Sequence, residues 1–478
     1  MIPYIILISY LLVSFAWGLF FTKRPENNPE SFFLSNRNLR TVALFFSLIA
    51  TNFSAFFFLG FAGEAYRVGY AYYPMMAFGT SFAAINFYII GNKAWRLGKQ
   101  KSYITPVEMI RGESGSVPLS VVFMLFMILF MLPFLAVQSV GAGLILENIT
   151  GGALSYAQGV VLMTFLILIY VIVGGMRGIV AMDMKNGIIM LTLMLTAILV
   201  LDNSMGGISE NNLSLQEAMP ELFVVRGRGD FFTPLKWLSF LLLWSACLPM
   251  FPQIFTRFLM GKNLRIFKKT TILYAFIPPF LFIVPVIIGV LGHIDFAGLE
   301  GKASDAILPM LLGKYTPDWF SALILTGALA AFISTVDSIL MAIASIGTRD
   351  FYLQFVKRDA NHGGQVKAAR WIIFLVAMIG MVIALLRPAS IFSIVTMTFS
   401  GSALLYPIVI GIFYLKHVHW AWSFWALLSG EILLAALSFQ WVSVEWMGSA
   451  LPVLPAFLWT FIWVLAGEVY GRAAERAE

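Results

Sequence analysis

The sequence predicts an all-α, polytopic membrane protein of about thirteen transmembrane helices, and three observations carry that prediction. Of 478 residues, 60% are hydrophobic and only 12% charged, about half the roughly 25% usual for soluble domains. Mean hydropathy is +0.87, more apolar surface than a water-soluble chain can hide. Apolar runs of about 20 residues, enough to cross a bilayer as a helix, recur from end to end, and the basic residues concentrate in alternate loops. The net charge of +7 therefore follows topology and is no sign of nucleic-acid binding.

The elements follow in chain order. The first apolar run, Ile2 to Phe21, has no basic residue before it and no small-residue cleavage site, so it is expected to be a span and not a signal peptide. Lys23 and Arg24 follow it directly, which places the N-terminus outside. Further spans centre near residues 52, 80, 132, 165, 193, 247, 283, 334, 378, 403, 430 and 460. With that alternation, the loops assigned to the inside hold 24 of the 31 basic residues, from Lys23 through Arg37, Lys93, Arg177, Arg257 and Arg349 to Arg476. An N-out, C-in, multi-pass protein of the cell inner (plasma) membrane is expected. The longest loops, near 202–233 and 350–369, are modest. Cys247 is the single cysteine, which excludes an internal disulfide. The four histidines sit in loops or at helix ends. No metal-ligand spacing, phosphate loop or catalytic triad occurs, so no enzyme activity and no cofactor is expected.

One segment breaks the apolar pattern. In Ala330–Ser345, AAFISTVDSILMAIAS, the residues Ala331, Ser334, Thr335, Asp337 and Ser338 share an arc of roughly 160° at helical spacing. Phe332, Ile333, Val336, Ile339 and Leu340 fill the other side. Hydroxyls in a membrane helix can be interhelical glue. A carboxylate there costs about 2.5–3.5 kcal/mol on insertion scales and marks an ion or proton path. A cation site also needs free carbonyls, which discontinuous helices supply. Two candidates lie five spans apart: Phe45–Gly63, with Asn52 and Ser54 at mid-depth, and Phe240–Phe258, where Pro249 and Pro252 interrupt the ladder. That spacing is expected of an inverted repeat, five helices in each half.

At these segments the chain resembles the solute:sodium symporter family, whose fold is of the LeuT type. The match is carried by SLIATNFSAFFFLGFAGEAYRVG (Ser47–Gly69), YITPVEMIRGE (Tyr103–Glu113), VGGMRGIVAMDMKNGIIM (Val173–Met190), PQIFTRFLMGKN (Pro252–Asn263) and LAAFISTVDSILMAIASIGTRDFY (Leu329–Tyr352). It runs from about Phe32 to His417. The resemblance implies an extra N-terminal helix at 1–22, a first repeat at 41–205, a second at 234–415 and two C-terminal helices at 419–470. It implies sodium as the coupling ion, bound by backbone oxygens of Ala50, Phe53 and Ala331 and by the hydroxyls of Ser334 and Thr335. Asp183 falls where some relatives hold a second sodium ion, with Asp337 and Ser338 beside it. Asp183 could equally cap the helix after the GGMRG turn, and Asp337 could instead take a proton.

The resemblance also puts the solute between the two broken helices. The candidate lining is Asn52, Ser54, Phe56, Phe57, Gln138, Ser245 and Gln253, each of which could instead serve plain packing. The neighbourhood AFFFLG is apolar where sugar carriers are polar. Sugars need many hydrogen bonds, so an amino acid, a short carboxylate or a pantothenate-like compound is favoured. Arg67 could attract an anion, form part of an outer gate or serve as an interfacial anchor. The partners expected are the small organic solute, sodium and the bilayer, with no nucleic acid and no obligatory protein partner evident. A proton-coupled symporter, a transporter-like solute sensor and a passive facilitator stay open as other readings.

Overall fold

The computed structural model describes residues 2–21 and 29–477; the topology charges Lys23 and Arg24 lie outside the described residues. Among them the chain is helical throughout its spans. Among the described residues, nine helices are long and apolar enough to cross a membrane, eleven if each of two bent pairs is one span. The runs expected near residues 12 and 165 contain the shorter apolar helices Ile2–Ser14 and Tyr156–Ile169, so the count of thirteen goes beyond those that meet the length criterion.

We label the helices α1 (Ile2–Phe21), α2 (Thr41–Asn52), α3 (Phe61–Val68), α4 (Tyr72–Lys101), α5 (Pro106–Ser114), α6 (Val117–Ile149) and α7 (Tyr156–Ser204). They continue with α8 (Pro234–Cys247), α9 (Pro252–Met260), α10 (Leu264–Leu281), α11 (Ile283–Leu291), α12 (Asp318–Ile346), α13 (His362–Leu386), α14 (Ile391–Tyr414), α15 (Trp420–Ser438) and α16 (Val453–Ala477). Local chemistry sets their limits. Thr105 and Glu108 form a capping box at α5, with Pro106 at its first turn; Ser155 and Gln158 do the same at α7. Gly175, at φ +58°, interrupts α7, a backbone angle glycine adopts without steric cost.

The second span is broken as the sequence suggests. α2 ends at Phe53, whose backbone is extended, and a π-turn, Phe56–Gly60, leads into α3. The two halves bend by 59°. The seventh span bends by 56°, where Phe251 is extended and Pro252 starts α9. Proline cannot donate to the ladder, so it is tolerated at a first turn.

The helix carrying the oxygen stripe, α12, is the centre of the bundle. Every residue of its most apolar window is buried, against α1, α2, α6, α7, α9 and α13. Its apolar side therefore meets other helices and no lipid. α14, α15 and α16 pack on one another. α11 lies directly on α3, so close that a Cβ added at Gly289 would stand 2.2 Å from the Ala62 carbonyl.

Candidate functional site

The break after α2 frees the backbone oxygens that a cation site requires. The Phe53 N–H still reaches the Ile49 carbonyl at 2.7 Å, and the ladder resumes only where Phe57 and Phe58 both return to Ser54. The carbonyls from Ala50 to Phe53 fall in that gap. Two side chains hold it open. Ser54 Oγ accepts the Phe56 N–H at 3.2 Å, and Gln138 Oε1, from α6, accepts the Ala55 N–H at 2.9 Å.

α12 faces this gap. The Thr335 hydroxyl donates to Ala331 O at 3.1 Å and lies 3.4 Å from Phe53 O. Three of the five expected sodium ligands thus meet within hydrogen-bond distance. Ala50 stands one turn earlier in α2. Ser334 is the next residue on α12, and its hydroxyl donates to Asp183 Oδ1. A hydroxyl that donates its proton keeps its lone pairs, so Ser334 can serve Asp183 and a cation together. All five residues are buried, and the donor set is all oxygen, the chemistry that suits a small hard cation.

Asp183 does not cap a helix. It lies inside the second limb of α7, fully buried, and its Oδ2 accepts Ser47 Oγ at 2.6 Å and Arg257 Nη2 at 2.9 Å. Arg257, which sequence reasoning counted among the loop charges, is wholly buried in α9. Its guanidinium also donates to Ser338 Oγ at 2.5 Å, Ser47 Oγ at 3.1 Å and Gln253 O at 3.3 Å. Ser338 in turn donates to Asp337 Oδ1 at 3.3 Å. The residues expected to frame a second ion are brought together, with an arginine among them. The signal was present in PQIFTRF: an arginine five residues after a helix-starting proline, on a nine-residue helix that is otherwise apolar but for Gln253 and Thr256.

The candidate solute residues divide. Asn52, Phe53, Phe56 and Phe57 line a small enclosed cavity with Phe61, Met76, Thr80, Phe134, Trp244, Leu248, Phe282 and Phe399. About 20 Å³ of it is open to the centre of a water molecule, room for about one water. Asn52 Nδ2 donates to Tyr274 OH at 2.6 Å. Phe57 stacks on Phe53 at 4.2 Å between centroids, and Trp244 on Phe56 at 5.4 Å. Ser54 and Gln138 instead support the break, and Ser245 turns its hydroxyl to Leu242 O at 3.1 Å. Gln253 is buried with neither amide atom hydrogen-bonded. Sequence reasoning missed Trp244, Phe282, Phe399 and Thr80, because 44 phenylalanines and helical periodicity alone do not say which rings converge.

Above the cavity lies an ionic cluster. Arg67 pairs with buried Glu64, and the Asp305 carboxylate accepts Ile391 N at 3.1 Å and Arg387 Nη2 at 3.4 Å. Arg67 is thus ion-paired and only partly exposed. Arg226 and Arg228 remain solvated, 4.0 and 3.7 Å from exposed acids.

Comparison with known proteins follows from this geometry. The family model for sodium:solute symporters matches residues 32–430. The chain is 23% identical over 476 residues to the sodium/pantothenate symporter of Escherichia coli, covering 98% of this chain and 97% of that protein. It is 23% identical over 415 residues to the sodium/pantothenate symporter of Haemophilus influenzae, covering 86% and 85%. Among solved structures, a substrate-bound, outward-open sodium-coupled sialic acid symporter superposes with a TM-score of 0.82 over 99% of this chain and 98% of that one, at 18% identity.

Proposed function

The chain belongs to the sodium:solute symporter family, and from that membership we propose that it is a secondary active transporter that couples sodium entry to uptake of a small organic solute. The observation that carries the reading is the convergence of Phe53 O, Ala331 O and the Thr335 hydroxyl where α2 breaks against α12. Sodium bound there, with Ala50 O and Ser334 Oγ completing the shell, ties α2 to α12 at the buried centre of the bundle. That fixes Asn52 and Phe53 at the cavity wall and so shapes the solute pocket. Each ligand then raises the other's affinity by the same factor.

The cavity as it stands is too small for an organic solute, so its walls must move apart to admit one. Outward and inward opening follow from rocking one helix bundle against the other. At about 100 mV one sodium charge contributes roughly 2.3 kcal/mol to accumulation. The lining of stacked rings with Asn52 and Thr80 as its polar points suits a solute with an apolar body and one polar or charged end. An amino acid, a carboxylate or a pantothenate-like compound fits that description better than a sugar. The distribution of lysine and arginine supports insertion in the plasma membrane with the N-terminus outside and the C-terminus in the cytoplasm.

The test is thermal stability of the purified protein across a solute panel, in sodium and in potassium. Stabilisation by one solute class in sodium only is the expected result. Stabilisation indifferent to the cation but dependent on pH would instead favour proton coupling through Asp183 or Asp337.

A further inference from the structure

We propose that the Arg257 guanidinium is a built-in second cation at Asp183, so that the protein binds one sodium ion per transport cycle. The inference rests on the sodium-coupled reading and specifies its stoichiometry. It starts from what already occupies the carboxylate. Asp183 Oδ1 is held by Ser334, and Oδ2 by Ser47 and Arg257. Ser338 Oγ is held by Arg257 at 2.5 Å and contacts Thr51 at 3.2 Å. Three of the roughly four lone-pair sites of the carboxylate are thus taken, one of them by the guanidinium, which also engages the Ser47 and Ser338 hydroxyls that could ligate a second sodium.

Charge points the same way. Two acids, Asp183 and Asp337, lie in this region. Arg257 neutralises the first, and the Lys185 ammonium, on the same limb of α7 as Asp183, lies within electrostatic reach of the second. The cluster is neutral as built. A sodium ion placed on the Asp183 carboxylate would stand beside the guanidinium that already lies 2.9 Å from Oδ2, in a pair that touches no solvent, where two like charges at such range repel strongly. Unlike sodium, the guanidinium is tethered to α9. It cannot be released to the cytoplasm, so it contributes fixed structure and no driving force. It also links α9 to Asp183, and through that carboxylate to Ser334 at the edge of the sodium site. The second broken helix thereby senses whether α2 and α12 are joined.

The measurement is equilibrium binding of radioactive sodium to the purified full-length protein, which needs no knowledge of the solute. One ion per wild-type protein is expected. In Arg257→Ala the count should rise to two, because Asp183, Ser47 and Ser338 are then released, and Arg257→Ala with Asp183→Asn should return it to one. Two ions on the wild type would overturn the inference while leaving sodium coupling intact. No bound sodium would overturn the sodium reading itself. A folded Arg257→Ala variant that still binds one ion would show that the guanidinium is not what excludes the second. Should that variant fail to fold, the wild-type count alone decides.

Discussion

Thr335 offers one hydroxyl to two carbonyls, Ala331 O and Phe53 O, and a cation placed among them would take its lone pairs. Thr335→Ala and Ser334→Ala each remove one such ligand. We expect each to cost about 1–3 kcal/mol, roughly tenfold to hundredfold in sodium Kd. Sodium-dependent thermal stabilisation measures this, and wild-type affinity in both variants would refute the assignment. Asp305 allows a second test, outside the spans. Burial pushes its carboxyl up to about 6, against the smaller downward pull of the Ile391 N–H and Arg387. A carboxyl raised on folding stabilises the native state below its ordinary value near 3.9 and loses that contribution as pH rises through about 6. Wild-type Tm should therefore fall, relative to Asp305→Asn, as pH increases from about 4 to about 6. Parallel pH profiles for the two proteins would exclude this role. The oxygen stripe of α12 was legible because serines, a threonine and an aspartate stand out in an apolar helix. Asp305 was not, since a lone loop aspartate carries no mark of its burial.

The broken helices are where sequence and neighbours share the work. Pro249 and Pro252 announce the interruption of the seventh span, since proline supplies no donor. The second span contains no proline, and its break relies on Gln138 reaching across from α6 to the Ala55 N–H. Gln138→Ala should leave that buried donor unpaired, at a cost of about 1–3 kcal/mol, and lower sodium affinity as well. Unchanged Tm and sodium affinity would mean the break holds itself. Gln138 was named as a solute ligand for its polarity, and only the packing of α6 against the π-turn reveals the other use. The contact of α11 with α3 offers a steric counterpart. Gly289→Ala forces a methyl onto the Ala62 carbonyl, and backbone yields less than a side chain would. A loss of about 1–3 kcal/mol is expected, while Gly313→Ala, with nothing within 4 Å of its added Cβ, should be neutral in the same melting experiment.

For the whole molecule, topology and occlusion are the testable properties. In a Cys247→Ser background, Glu475→Cys should react with a membrane-impermeant thiol reagent only from the cytoplasmic face. Labelling of intact cells from outside would reverse the orientation. The membrane class, the polar stripe and the proline interruption of the seventh span were legible in the sequence alone, because each depends on residues near one another in the chain and on what a bilayer tolerates. The tertiary structure decided the rest. It moved Arg257 from a loop charge to the partner of Asp183, 74 residues away, and it selected Trp244, Phe282 and Phe399 among many aromatic rings to close the cavity. It also buried every face of α12. Charge pairing and ring packing across a bundle depend on which helices become neighbours, and the periodicity of any one helix records only which side it buries, not what it meets there.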